Sequence, residues 1–311
     1  MTKYNVVIDT DPGIDDAVAL LLALNSPELN ILGITSVAGN VPVEKALRNV
    51  LRIIGYVGRS NVRVYGGAYR PLLGEIMEDT ERNGYDGLGD VNISLTKDVR
   101  YEDIPAAQFL IQISKEYPRD IVILTLGPLT NIALSILLDQ EFQDRVKFLV
   151  SMLGCYGLTR YALGTISSRV EFNAYVDPLA AKVVIGSEID KYLIGLDVTQ
   201  KRDALFFTTD FKRLSTLGRL GKLVTLMYRN IRKPTPIHDP MVITYLIKPE
   251  IFRFEKYYVD VEVEGDISRG ETIVDNRRDI PEWLRIGSLA NICIDVNGRR
   301  YKEVIFERLG E

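Results

Sequence analysis

Four aspartates fall within eight residues near the start of the chain, in the run DTDPGIDDA at residues 9–17. Asp9 and Asp11 sit two apart at the end of an apolar run, so on a strand they point the same way. Pro12-Gly13 supplies a turn, and Asp15 and Asp16 then open a helical pattern. A helix start welcomes one carboxylate through capping and the dipole, which does not account for four. Carboxylates this close repel unless a cation neutralises them, and all-oxygen ligands select a hard cation, calcium or magnesium. One chemistry that such a cluster suits is magnesium-dependent phosphoryl transfer with an aspartyl nucleophile. It would want a nearby Thr or Ser, a Lys and later acids to hold phosphate and metal. Here Pro12 follows Asp11 directly, and the next strand ends in Ala38-Gly39-Asn40, a poor grip on phosphate.

The elements that must position this cluster alternate in type. Apolar runs at 4–9, 31–37, 62–65, 120–126, 147–153 and 191–196 read as strands. Helical patterns lie between them at 15–25, 43–56, 102–117 and 129–138. That alternation predicts βαβ crossovers: an α/β fold with a mostly parallel central sheet flanked by helices. Runs at 257–264 and 289–296 add a small antiparallel part near the C-terminus. In such sheets ligands bind outside the carboxyl ends of the strands, where the acidic cluster falls. Two longer stretches, 70–100 and 205–246, are candidate lids or walls. No repeat or linker divides the chain, so one domain over 1–311 is expected.

Composition narrows the partners. The net charge is −4, and no Lys/Arg stripe stands out, so nucleic acid is not expected as a partner. No uncharged apolar run has membrane-spanning length and the start lacks a signal-peptide pattern, so no membrane association and a cytoplasmic location are expected. Cys155 and Cys293 form no CxxC pair and read as free buried thiols.

The run DTDPGIDDA resembles the amino-terminal motif of the inosine–uridine nucleoside hydrolases. VAGN (37–40), LGPLTN (126–131), EFNAYVDPLAA (171–181) and HDP (238–240) match further segments of that family in the right order. The resemblance implies calcium-dependent hydrolysis of the N-glycosidic bond of a small-molecule ribonucleoside. It implies a calcium ion held by Asp11, Asp16, Asp239 and the Leu126 carbonyl, with Asp11 also taking a proton from the attacking water. By the same resemblance Asp15 and Asn173 bind the ribose 2′-hydroxyl, Asn40 and Asp239 the 3′-hydroxyl, and Glu171 the 5′-hydroxyl. His238, the chain's single histidine, would give a proton to the departing base, and Asp9 would support the ligands from behind. Self-association as a homodimer or homotetramer is also implied. A phosphatase built on the DxD cluster and a catalytically silent nucleoside-binding protein are the alternatives.

Two positions depart from the family pattern. Asn83 stands where a His often precedes the DG pair, and Thr165 where an Asn often helps to hold the 5′-hydroxyl. Tyr85 and Tyr228 lie near the two candidate walls and are candidates to stack on or hydrogen-bond a base. Purine-specific relatives tend to stack the base between tryptophans, whereas this chain's one Trp, Trp283, lies outside the expected pocket segments. Uridine and cytidine are therefore the expected substrates, with inosine behind them.

Overall fold

A computed structural model describes residues 3–96, 98–277 and 279–310. Nine strands form one sheet: β1 (Tyr4–Thr10), β2 (Leu29–Ser36), β3 (Val64–Tyr65), β4 (Ile121–Thr125), β5 (Val146–Met152), β6 (Lys191–Ile194), β7 (Phe252–Val261), β8 (Thr272–Asp275) and β9 (Ser288–Val296). Their order is β3-β2-β1-β4-β5-β6-β9-β7-β8. The pairings from β3 to β9 are all parallel, while β7 pairs antiparallel with both β9 and β8. The expected α/β fold with a small antiparallel addition near the C-terminus is what forms.

The strands are apolar on both faces because both faces are covered. Val6 and Ile8 of β1 enter one core layer, with the helices Ile14–Leu24, Pro240–Ile247 and Gly298–Leu309. Val7 enters the other, with the helices Ala106–Glu116, Thr130–Leu138 and Pro178–Ile185. Every residue of Ile14–Leu24 is buried, so this helix is packed on all sides rather than amphipathic. Truncating Leu20 or Leu21, both fully buried, to Ala would cost about 2–5 kcal/mol.

The strand order turns at β1: β2 and β3 continue to one side, β4, β5 and β6 to the other. This is the switch point where an open parallel sheet leaves a crevice at its carboxyl edge. The ladder runs one residue past each strand there. The Val37 N–H donates to the Thr10 carbonyl at 3.0 Å, and the Leu126 N–H to the Asp9 carbonyl at 2.8 Å. Asp11, Asn40 and Leu126 are thereby brought to one edge from three separate parts of the chain.

Candidate active site

A cleft of about 520 Å3 opens at this edge, within the roughly 300–1,000 Å3 usual for small-molecule sites. Asp15, Asn40, Asn83, Leu126, Thr165, Glu171, Asn173, His238 and Asp239 all line it. Asp11 and Asp16 are not part of this lining: both are fully buried, bonded to the lining residue Asn40.

Asp11 lies between two glycines. A Cβ at Gly127 would come within 2.5 Å of its Oδ1, and one at Gly39 would collide with its Oδ2. Its Oδ2 accepts the Asn40 N–H at 2.6 Å, whereas its Oδ1 is buried without a hydrogen-bond partner. Burial, then the Asp16 charge, push the Asp11 carboxyl well above the usual carboxylate range. Asp239 is raised in the same way by burial and by Asp16, Asp15 and Asp11, and its carboxyl is in contact with that of Asp16. Asp9 stands behind them, accepting from Thr35 and from Asn131 Nδ2 (2.7 Å). Burial lifts it to about 7.

These buried acids fit a hard cation in donor chemistry: carboxylates plus the Leu126 carbonyl, with Asp11 Oδ1 lacking any partner. The side chains as placed are not a closed cage, and among the described residues no three acidic, His or Cys groups converge on one point. The reason is visible at Asp16, which accepts from the Thr10 hydroxyl (2.6 Å), the Asp11 and Gly13 N–H groups (3.3 and 3.1 Å) and Asn40 Nδ2 (3.2 Å). Those four bonds use the acceptor capacity of an ionised carboxylate.

Asp15 is equally occupied. It accepts twice from Arg82 Nη2 (3.1 and 2.9 Å), from the Tyr228 hydroxyl, and from the His238 N–H at 2.8 Å. Burial works to raise its pKa, but Arg82, His238 and Tyr228 together hold it below the ordinary value. Arg82 was not among the sequence candidates. A ribose hydroxyl can reach Asp15 only by displacing one of these donors.

The opposite side offers free acceptors. Asn173 spends both amide hydrogens on the Leu126 and Met152 carbonyls, at 2.7 and 3.0 Å, which leaves its Oδ1 for a hydroxyl. Glu171 caps the helix Phe172–Val176, accepting N–H groups from Asn173 (2.8 Å), Ala174 (3.1 Å) and Gly154 (3.1 Å). Thr165 Oγ1 accepts from the Phe172 N–H at 3.1 Å and keeps its own hydrogen to donate.

Two expectations are corrected by placement. Tyr228 does not line the cleft: it is buried, stacked on Phe211 with centroids 5.1 Å apart, and its hydroxyl serves Asp15. Tyr85 is 80% exposed and also off the cleft. Burial, and then the charge of Arg82, push the His238 imidazole down to about 4. Its Nδ1 shares a 2.8 Å bond with the Thr199 hydroxyl. Asn83 is turned into the fold, accepting the Ile14 N–H and donating to Asn40 Oδ1, both at 3.0 Å. Among the described residues no helix is long and apolar enough to cross a membrane.

The family model described as inosine-uridine preferring nucleoside hydrolase matches residues 6–303. A pyrimidine-specific ribonucleoside hydrolase, RihA, of Salmonella arizonae is 34% identical, over 98% of this chain and 97% of that protein. The solved plant nucleoside hydrolase PpNRh1 superposes with a TM-score of 0.90 at 28% identity, covering 99% of both chains. A purine-preferring ribonucleoside hydrolase from Gardnerella vaginalis superposes at 0.87 with 29% identity, covering 98% of both.

Proposed function

This chain belongs to the inosine-uridine preferring nucleoside hydrolase family and is a ribonucleoside hydrolase, and from that premise we propose that it cleaves uridine and cytidine, and inosine more slowly, in a calcium-dependent reaction. The observation that carries this reading is Asp11: a buried carboxyl group between two glycines, bonded to the cleft-lining Asn40 and with one oxygen left unpartnered.

In this reading the ribose lies on the cleft floor. Asn173 Oδ1 accepts from the 2′-hydroxyl, Asn40 and Asp239 hold the 3′-hydroxyl, and Glu171 with Thr165 meets the 5′ end. Asp15 joins the 2′ contact when one of its present donors gives way. Bond cleavage develops positive charge on the ribose, and the surrounding carboxylates and amide oxygens stabilise it. Asp11 receives the proton of the attacking water. Asp11, Asp16, Asp239 and the Leu126 carbonyl are the groups that would hold calcium. When bound, the ion would offset the carboxylates' repulsion and hold water and diol in one frame.

A pyrimidine preference is supported by the likeness to RihA and by Trp283, which is 80% exposed and not part of the cleft lining. The test is ribose release from uridine, cytidine, inosine, adenosine and guanosine, with and without a calcium chelator. Uridine and cytidine should lead. No ribose from any of the five would sink the reading, and nucleotides with magnesium would then test the phosphatase. The proposed assembly is a homodimer or homotetramer, which sedimentation would check.

A further inference from the structure

The short helix Thr80–Asn83 carries a cation in the cleft wall, and that cation is anchored at one edge only. Arg82 Nη2 donates to Asp15 Oδ2 and Oδ1 at 2.9 and 3.1 Å and to the Pro236 carbonyl at 3.3 Å. No other hydrogen bond joins its guanidinium to the described residues, so Nε and Nη1 keep their donors. Arg82 lines the cleft, and 30% of its side chain is accessible. Of the acids on the same wall, Asp79 accepts from the Arg82 backbone N–H at 3.1 Å, Glu78 lies 3.6 Å from Lys45, and Glu81 makes no ion pair with Arg82. Asn83, the next residue, has its carbonyl oxygen and one amide hydrogen committed inside the fold.

The chemistry needs a cation there. When the C1′–N bond breaks, its electron pair leaves with the base, while the water oxygen bonds to C1′ and a water proton passes to Asp11. Negative charge spreads over the departing ring nitrogen and the carbonyl oxygen beside it. Arginine stays protonated, so it cannot serve as the acid, but its planar fork can bond both atoms as the charge grows. Hydrogen bonds that strengthen only in the transition state are the ones that accelerate the step. We propose that Arg82 is the leaving-group residue of this cleft, its free Nε and Nη1 edge receiving the base anion, which then takes a proton from solvent. The proposal rests on the nucleoside hydrolase reading above.

The test compares two leaving groups in wild type, Arg82→Met and Arg82→Lys. One substrate is uridine; the other is p-nitrophenyl β-D-riboside, whose phenolate departs unaided. Disturbing Asp15 would slow both substrates alike, so the ratio of their kcat/KM values isolates the leaving group. Arg82→Met should lose roughly 10²-fold on uridine and about tenfold less than that on the aryl riboside. Arg82→Lys, which keeps the charge and so a more native fold, should recover part of the uridine loss. Equal losses on the two substrates would reduce Arg82 to an orienter of Asp15 and overturn the proposal. So would uridine rates within about threefold of wild type in both variants. Wild-type protein that releases ribose from neither substrate overturns the hydrolase reading and this inference together, whereas wild-type activity on both with an unmoved ratio overturns the inference alone.

Discussion

Asp11→Asn changes one buried atom beside the cleft-lining Asn40 and should move activity and stability in opposite directions. In the wild-type protein Asp11 Oδ2 accepts the Asn40 N–H, while Oδ1 is buried, unpartnered and repelled by Asp16. The asparagine oxygen keeps the Asn40 bond. The new amide carries no charge, so the repulsion from Asp16 is removed. Relieving a functional-site repulsion of this kind commonly adds roughly 0.5–2 kcal/mol. At about 2–4 °C per kcal/mol for a large domain, the unfolding temperature in chelator should rise by about 1–8 °C. Loss of the general base should lower kcat/KM on uridine by roughly 10²–10⁴-fold. Calcium should reverse the stability order. An ion binding only the native wild type at about 100 times its Kd adds about 2.7 kcal/mol, and the variant gains little of this. Thermal melts with chelator and with calcium, beside a reducing-sugar assay, read all three effects. A variant that melts below wild type in chelator, or keeps activity within about tenfold, refutes the reasoning.

Gly127→Ala sets a methyl against Asp11 Oδ1 and should cost roughly 1–3 kcal/mol of stability along with most activity; a fully active variant in urea melts and ribose assays would show that the Asp11 position matters little. Deoxyuridine lacks the hydroxyl assigned to Asn173 Oδ1 and should react at least about tenfold more slowly than uridine, and equal rates would remove that contact. Cys155 and Cys293 are buried, and burial pushes both thiols up to about 12, so neither should react with an aromatic disulfide reagent in the native protein at neutral pH. Two thiols should titrate after denaturation, and rapid native labelling would contradict the placement.

What was legible in the sequence divides by range. The strands at 4–10, 29–36, 121–125 and 146–152 were read nearly to the residue because both faces are covered and each is a continuous apolar run. β8 was not read at all: four residues carry no period, and the strand exists only because β7 pairs with it. The helix Gly298–Leu309 also went unread, although its buried positions recur at helical spacing. At the site, the acids and amides were found because their types are unusual where they stand. Their partners were not, because partnership is made by contacts far apart in sequence. Arg82 meets Asp15 across 67 positions, and Tyr228 meets it across 213. Sequence reading took Asp15 for an open ribose ligand and Tyr228 for a base contact; together with Arg82 and His238 they form one saturated cluster. That saturation leaves the Asn173 oxygen, the Thr165 hydroxyl and the unanchored edge of Arg82 among the groups able to meet a ligand without first breaking a bond. In the proposed reading, ribose recognition and departure of the base fall to different residues of the cleft lining, which is why leaving-group ability and the 2′-hydroxyl should be separable by substitution.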